Sequence, residues 1–380
     1  MADTYDVIVI GLGGVGSAAA CHLASRGKRV LGLQQYTPAH DRGSSHGSSR
    51  IIRQAYNEGP GYVPLVLRAY ELWEKLERDT ATPLLTITGG LFIGPENGDV
   101  VQGSLRSARE HNLAYEMLGA KDVQRRFPVL HPRSEECAVY ETKAGFLRPE
   151  AAVAAHLGLA AQHGAALHFE EPVSGWMTTD TGTVRVTTAK ATYEAAHLVI
   201  APGAWASDLL KLNLPLHVRR HVMAWFDPID GITPFKPERF PIYIWQTDKD
   251  TILYGFPATD CDHCGVKAAL HSGGDICTPD SIERGIQEQD ITEIREQLAA
   301  CIPALNGNLL HAATCMYTMT PDEHFVVSRH PHYSQVTIAC GFSGHGFKFT
   351  SVLGEVLADL SMEGRTKYPI DFLSAERFSK

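Results

Sequence analysis

Residues 5–35 read YDVIVIGLGGVGSAAACHLASRGKRVLGLQQ, and the reading of this stretch decides the fold. Val7, Ile8, Val9 and Ile10 form an apolar run that stops at Gly11, the pattern of a buried parallel strand. Gly11, Gly13 and Gly16 then spell G-x-G-x-x-G, with Gly14 and Val15 inside the turn. The first glycine allows a tight turn, the second lets a pyrophosphate approach the backbone, and the third lets helix and strand pack closely. Val15, Ala18, Ala19 and Leu23 recur at helical spacing, so the phosphate would meet a helix N-terminus, where free N–H groups and the dipole favour an anion. Gly27 closes that helix and residues 29–33 return as a second strand. At the end of such a strand the motif expects a carboxylate for the ribose hydroxyl. Here stand Gln34 and Gln35, so the ribose contact is expected to be weaker or shared with other groups. Strand, turn, helix and strand in register predict an α/β protein that holds FAD or NAD(P). The alternative is a glycine turn in some other α/β protein.

At 380 residues the chain is long enough for two or three domains. A net charge of −9 and a pI near 6.0 argue against a nucleic-acid partner, and no basic amphipathic stretch suggests a membrane surface. No apolar run reaches spanning length. With the first strand starting near Tyr5 no signal peptide is expected, so the predicted location is cytoplasmic. The last three residues, Phe378, Ser379 and Lys380, are not the peroxisomal address S-K-L, though a peroxisomal location is left open for a eukaryotic host. Eight cysteines at irregular spacing fit reduced thiols better than a disulfide framework.

Beyond the second strand, residues 36–53 form a long polar loop, of the kind that is usually functional. Residues 62–78 read as a helix, 84–93 as a strand, 104–112 and 121–127 as helices, and 150–163 as an alanine-rich helix. Residues 165–200 alternate as strands, 216–258 form an antiparallel-looking block, 281–301 read as a helix, and 325–360 repeat strand, glycine turn and helix. The βαβ rhythm is lost near Thr82 and returns later. We therefore expect a Rossmann-like dinucleotide domain of residues 1–82, 142–215 and 320–380, interleaved with an antiparallel-sheet substrate domain of residues 83–141 and 216–319.

Four places carry unusual side chains. In residues 44–53, His46, Arg50 and Arg53 crowd together after Ser44 and Ser45, either as solvated charges or as an anion clamp, since guanidinium pairs with carboxylate in a bidentate way. In CDHCGVKAALH, Cys261, His263, Cys264, Lys267 and His271 include one C-x-x-C, but a second ligand pair is missing, so no metal is expected. Cys315 precedes Met316 and Tyr317; a lone cysteine among apolar neighbours is more often inert core than nucleophile. In GFSGHGFK, Gly344 and Gly346 offer close backbone approach, and His345 and Lys348 offer positive charge. Together His46, Arg50, Arg53, Lys267, His271, His345 and Lys348 suggest a cationic pocket for an anionic ligand.

The motifs GSSHGSSRIIRQAY, YGFP, CMYT-x-T-x-DEHF and GFSGHGFKF make the chain similar to the monomeric sarcosine oxidase family of flavoproteins, which includes N-methyltryptophan and pipecolate oxidases. The match runs from the first strand almost to the C-terminus. The resemblance implies FAD, a two-domain fold, a monomer, and oxidation of a secondary amino acid to an imine with reduction of oxygen to hydrogen peroxide. It implies further that Cys315 is bonded covalently to the flavin, that Arg53 and Lys348 hold the substrate carboxylate, that Arg50 lies by the flavin, and that Lys267 activates oxygen. His271, Tyr254 and Tyr317 are expected to line the site with His46 and His345, while Val173, Gly203, Gly344, Gly346 and Phe347 join Gly11, Gly13, Gly14, Val15, Gly16, Gln34, Gln35, Ser44 and Ser45 around the cofactor. This sequence departs from the sarcosine enzymes at Gln34, in GSSHGSSR, in a longer loop after Tyr254, and at Trp245, where a smaller side chain is expected. The substrate is thus open among sarcosine, pipecolate, N-methyltryptophan, a sugar amine and other N-alkyl amino acids. A dehydrogenase that passes electrons to a carrier, or a nonenzymatic dinucleotide-binding module, remain the rivals.

Overall fold

The computed structural model describes residues 4–259 and 265–378. The apolar run at residues 7–10, no more than 3% exposed, lies in the strand Thr4–Ile10. That strand pairs in parallel with Val30–Leu33 on one side and Thr192–Ile200 on the other. Burial on both faces explains why this run does not alternate. Ala166–His168 extends the sheet past Val30–Leu33, and Tyr333–Cys340 runs parallel to the C-terminal half of Thr192–Ile200. Val173–Thr178, Val184–Thr188 and Val326–His330 complete eight strands. Helices Gly14–Ser25, Val63–Thr80, Pro149–Gln162 and Thr350–Glu363 share one apolar core with this sheet.

A second sheet of nine strands is built from Gly90–Pro95, Glu116–Gly119, Glu136–Glu141, His217–Asp227, Ile242–Gln246, Ile252–Gly255, Val266–Leu270, Asp275–Cys277 and Asn308–Met319. Its neighbours are antiparallel except Ile242–Gln246 against Gly90–Pro95. The long pair His217–Asp227 and Asn308–Met319 is its spine. A small third sheet joins Arg50–Ile52, Gly145–Leu147 and Leu85–Ile87.

Three expected elements differ in detail. Residues 84–93 are not one strand: the chain leaves the small sheet at Ile87 and enters the nine-stranded sheet at Gly90. Gly89, at φ +75°, makes the break, and the N–H groups of Thr88 and Gly89 both donate to the Ala144 carbonyl, at 3.1 and 3.0 Å. The helix expected over 281–301 begins only at Glu288, where Gln287 and Asp290 form a capping box. Arg220 fixes the start, donating to both Asp290 oxygens at 2.7 Å and to the carbonyls of Glu283 and Gly285. The helix expected over 104–112 begins earlier, at Asp99.

Among the described residues no helix is long and apolar enough to cross a membrane. Cys21, Cys137, Cys277, Cys301, Cys315 and Cys340 are free thiols. The C-x-x-C of Cys261 and Cys264, with His263, lies outside the described residues.

Candidate functional site

A cavity of about 450 Å³ opens where Thr4–Ile10 and Val30–Leu33 end. Gly11, at φ +84°, makes the turn, and a side chain there would lie 2.4 Å from the Ala201 carbonyl oxygen. Gly16 lies off the cavity and serves packing, since a Cβ on it would sit 1.7 Å from the Gly11 oxygen. Beside Gly13 the space is open, which leaves the backbone at the helix N-terminus free to be approached. The residues present therefore fit a dinucleotide pyrophosphate. Gly14, Val15, Gln34, Gln35, Ser44, Ser45, Val173 and Gly203 also line this part of the cavity. Ser45 Oγ accepts from the Gly14 N–H at 3.3 Å, and Ser44 Oγ donates to the Met316 carbonyl at 2.6 Å, so the polar loop is folded across the turn.

The Gln34 amide is already engaged, with Oε1 accepting from the Gln35 N–H at 2.9 Å and Nε2 donating to His40 Nε2 at 3.1 Å. Glu171, whose N–H donates to the Gln34 carbonyl at 2.9 Å, lines the same cavity, its carboxylate accepting from Thr188 Oγ1 and the Tyr193 hydroxyl, both at 2.8 Å. Neither His40 nor Glu171 was expected from sequence; both lie outside the fingerprint.

The far end is built by strands of the other sheets. Arg50 opens Arg50–Ile52, and its guanidinium donates to the Ser44 carbonyl at 3.0 Å and lies 3.6 Å from Cys315 Sγ. Cys315 and Tyr317 sit two apart on Asn308–Met319 and so share a face. The Tyr317 hydroxyl is 3.5 Å from that of Tyr254, and its ring stacks on His221 at 3.9 Å. His271 follows Val266–Leu270, with its ring 5.4 Å from Tyr317. Lys348 lies in the short turn before Thr350–Glu363, where Trp73 Nε1 donates to its carbonyl at 2.9 Å. Its Nζ donates to the His345 carbonyl at 2.7 Å. Burial, followed by the charge of Arg53, brings the Lys348 ammonium down to about 7. Arg53, 1% exposed, donates to Glu58 Oε1 at 2.8 Å and Oε2 at 2.6 Å, and to the Ala55 carbonyl at 2.8 Å.

Residues 6–360 match a family described as FAD dependent oxidoreductase. A monomeric sarcosine oxidase from Streptomyces avermitilis is 53% identical over 381 residues, spanning 100% of this chain and 99% of that one. The chain belongs to the FAD-dependent oxidoreductase family. Within that family it falls with the monomeric sarcosine oxidases that its motifs resemble. An N-methyl-L-tryptophan oxidase from Salmonella agona is 34% identical over 382 residues, covering 99% of this chain and 100% of that one. NikD, described as an unusual amino acid oxidase essential for nikkomycin biosynthesis, superposes with a TM-score of 0.84 at 25% identity, over 98% of this chain and 97% of that one.

In this flavoprotein Arg50, Arg53, Tyr254, His271, Cys315, Tyr317, Gly344, His345, Gly346, Phe347 and Lys348 all line the cavity. Lys267 and His46 do not. Lys267 Nζ donates to the carbonyls of Gly47 and Ser49, at 2.8 and 2.7 Å, and lies 4.1 Å from the Phe256 ring centre, so it stands behind the loop that carries Arg50. His46 is buried, and its Nε2 has no hydrogen-bond partner among the described residues.

The expected pocket of seven cations is corrected. Burial, first among the causes, holds His46 near 3, His271 near 4 and His345 near 3, so these rings are neutral at pH 7. For His345 the hydrogen is placed: Nε2 lies 3.0 Å from the Glu323 carbonyl, which only accepts, so Nδ1 accepts from the Tyr56 hydroxyl. The charge of Arg53 is met inside the protein by Glu58, whose carboxylate is held ionised below its usual range although burial opposes it. Sequence reasoning passed over Glu58, although it lies five residues beyond Arg53. Trp245 does not shape the cavity either: it is 1% exposed, and its Nε1 donates to Glu136 at 3.2 Å. Strand alternation turns the neighbouring Ile244 to the cavity instead, with Ile51, Ile252 and Phe256.

Proposed function

We propose that this flavoprotein oxidises a small N-methyl amino acid, sarcosine first, to the imine and passes the electrons to oxygen, giving hydrogen peroxide. The observation that carries this reading is the meeting of Arg53 and Lys348, at 4.4 and 5.1 Å from the Tyr56 ring centre, in a cavity that Ile51, Ile244, Ile252 and Phe256 also line. When bound, FAD supplies the two-electron chemistry, and the protein supplies orientation and electrostatics.

Arg53 and Lys348 bind the substrate carboxylate by charge-assisted hydrogen bonds, which fixes the carbon to be oxidised. Glu58 holds Arg53 until the incoming carboxylate takes its place. The two cations disfavour an ammonium beside them, so the substrate amine gives up its ammonium proton to solvent and binds neutral. The neutral His271 adds no charge that would repel the remaining amine proton and offers it a lone pair. The aliphatic wall suits a small N-alkyl group rather than a polar one.

Cys315 is the proposed point of covalent FAD attachment, with the Arg50 guanidinium beside its sulfur. Lys267 supplies the cation for oxygen reduction, which favours an oxidase over a dehydrogenase. Gln34 and His40 with Glu171 take over at the ribose end from the missing carboxylate. The proposed division is residues 1–82, 142–215 and 320–380 for FAD and residues 83–141 and 216–319 for substrate, and the protein is proposed to act as a monomer in the cytoplasm. Anaerobic titration of the yellow protein with sarcosine, L-pipecolate and N-methyl-L-tryptophan tests the substrate. Bleaching by sarcosine at the lowest concentration supports this reading, and bleaching by N-methyl-L-tryptophan alone overturns it.

A further inference from the structure

Glu141 closes the strand Glu136–Glu141 of the nine-stranded sheet and is 1% exposed. It lies off the cavity and touches no reacting group. Its carboxylate accepts the Gln54 N–H with both oxygens, at 2.9 and 3.1 Å, and the Ala55 N–H at 2.8 Å. These are the two amides that follow Arg53. Arg53 grips the next peptide, donating to the Ala55 carbonyl at 2.8 Å. One residue on, the Tyr56 carbonyl accepts from Ser107 Oγ at 2.5 Å, and Glu58 then returns to the Arg53 guanidinium.

We propose that Glu141 is a positioning residue for the substrate-carboxylate clamp. It fixes the backbone on which Arg53 pivots, so that the guanidinium can pass from Glu58 to the substrate without the peptide moving. A carboxylate in this place is costly to bury unless hydrogen-bonded, and burial, opposed by the amides of Ala55 and Gln54 and by Arg53, raises it to about 7. Among the described residues all the hydrogen bonds its carboxylate accepts come from the two residues after Arg53, so its cost is met by holding that segment. Because Arg53 is placed by this anchor and Lys348 is not, the effect is expected in substrate binding rather than in the oxidation step. The inference rests on the proposed role of Arg53 as carboxylate clamp.

The test uses the flavin-loaded protein and methoxyacetate, a carboxylate with oxygen in place of the amine nitrogen, with binding read from the flavin spectrum. In Glu141→Gln one amide oxygen must serve two N–H donors while its NH₂ group faces them, so the Kd is expected to rise about tenfold. The rate of flavin reduction at saturating sarcosine is expected to change less than about threefold. Glu141→Asp keeps the charge but withdraws it by one methylene, and its Kd is expected between wild type and Glu141→Gln; it also carries the test if Glu141→Gln does not fold. Wild-type Kd in both variants, or a loss confined to melting temperature and kcat, would overturn the positioning role while Arg53→Ala still weakens binding. Wild-type Kd in Arg53→Ala would instead bring down the clamp itself, and Glu141 with it.

Discussion

The Arg53 guanidinium closes a two-bond fork on the Glu58 carboxylate, at 2.8 and 2.6 Å, at the end of the cavity where a substrate carboxylate is proposed to bind. An internal carboxylate thus holds the group that an external one needs. Glu58→Gln removes the competitor's charge, and methoxyacetate is expected to bind several-fold tighter, since hydrogen bonds to charged groups contribute about 1.5–3 kcal/mol each. Arg53→Ala is expected to weaken the same binding by about one to two decades. Unchanged affinity in both variants would show that the fork is structural only.

Lys348 gives a pH dependence with a definite sign. Its ammonium sits near 7 in the free protein. Below that pH it is charged and attracts a carboxylate; above it the charge is lost. Carboxylate affinity is therefore expected to fall as pH rises through 7, approaching tenfold per unit, and Lys348→Met should bind weakly with a flat profile between pH 6 and 8. A wild-type profile that rises with pH would contradict the assignment.

How much of this was legible in the sequence differs from end to end of the cavity. Gly11 and Gly16 announce their positions because local geometry forces glycine there, and Gly13 because it leaves the backbone open to approach. Arg53 and Lys348 were reached through motifs alone, and their meeting depends on two segments almost three hundred residues apart in sequence. The charge state of the site was not legible at all. His46, His271 and His345 look cationic in a sequence, and only burial, a tertiary property, makes them neutral. Trp245 misled for a simpler reason, since a one-residue shift along a strand exchanges the cavity face for the core face. Glu58 and Glu141 escaped because a buried acid is recognisable only once its partners are known.

Cys315 lies 3.6 Å from the Arg50 guanidinium and lines the cavity. After acid precipitation of the wild-type protein the yellow colour is expected in the pellet. Cys315→Ala should release the flavin to the supernatant or fail to hold it. Colour in the wild-type supernatant would exclude the covalent bond.

Lys267 stands behind the Arg50 loop, bound to two carbonyls that keep its ammonium fixed. Because Lys267 stands off the cavity, its unit charge is taken at about 8 Å from charge developing on oxygen, where at an effective dielectric near 20 it is worth about 2 kcal/mol. Lys267→Met is accordingly expected to slow reoxidation by oxygen by about one to two decades, with anaerobic reduction by substrate changed far less. Equal oxygen rates in variant and wild type would move this role to another cation, with Arg50 the nearest choice.

The most direct measurement is oxygen uptake by the purified flavin-loaded protein with sarcosine as sole donor, with peroxide followed in the same vessel. The expected result is rapid uptake with one peroxide formed per oxygen consumed, and almost none when Arg53→Ala replaces wild type at the same sarcosine concentration. Flavin bleaching by sarcosine without oxygen uptake would show a dehydrogenase. Neither bleaching nor uptake with any secondary amino acid would contradict amine oxidation altogether.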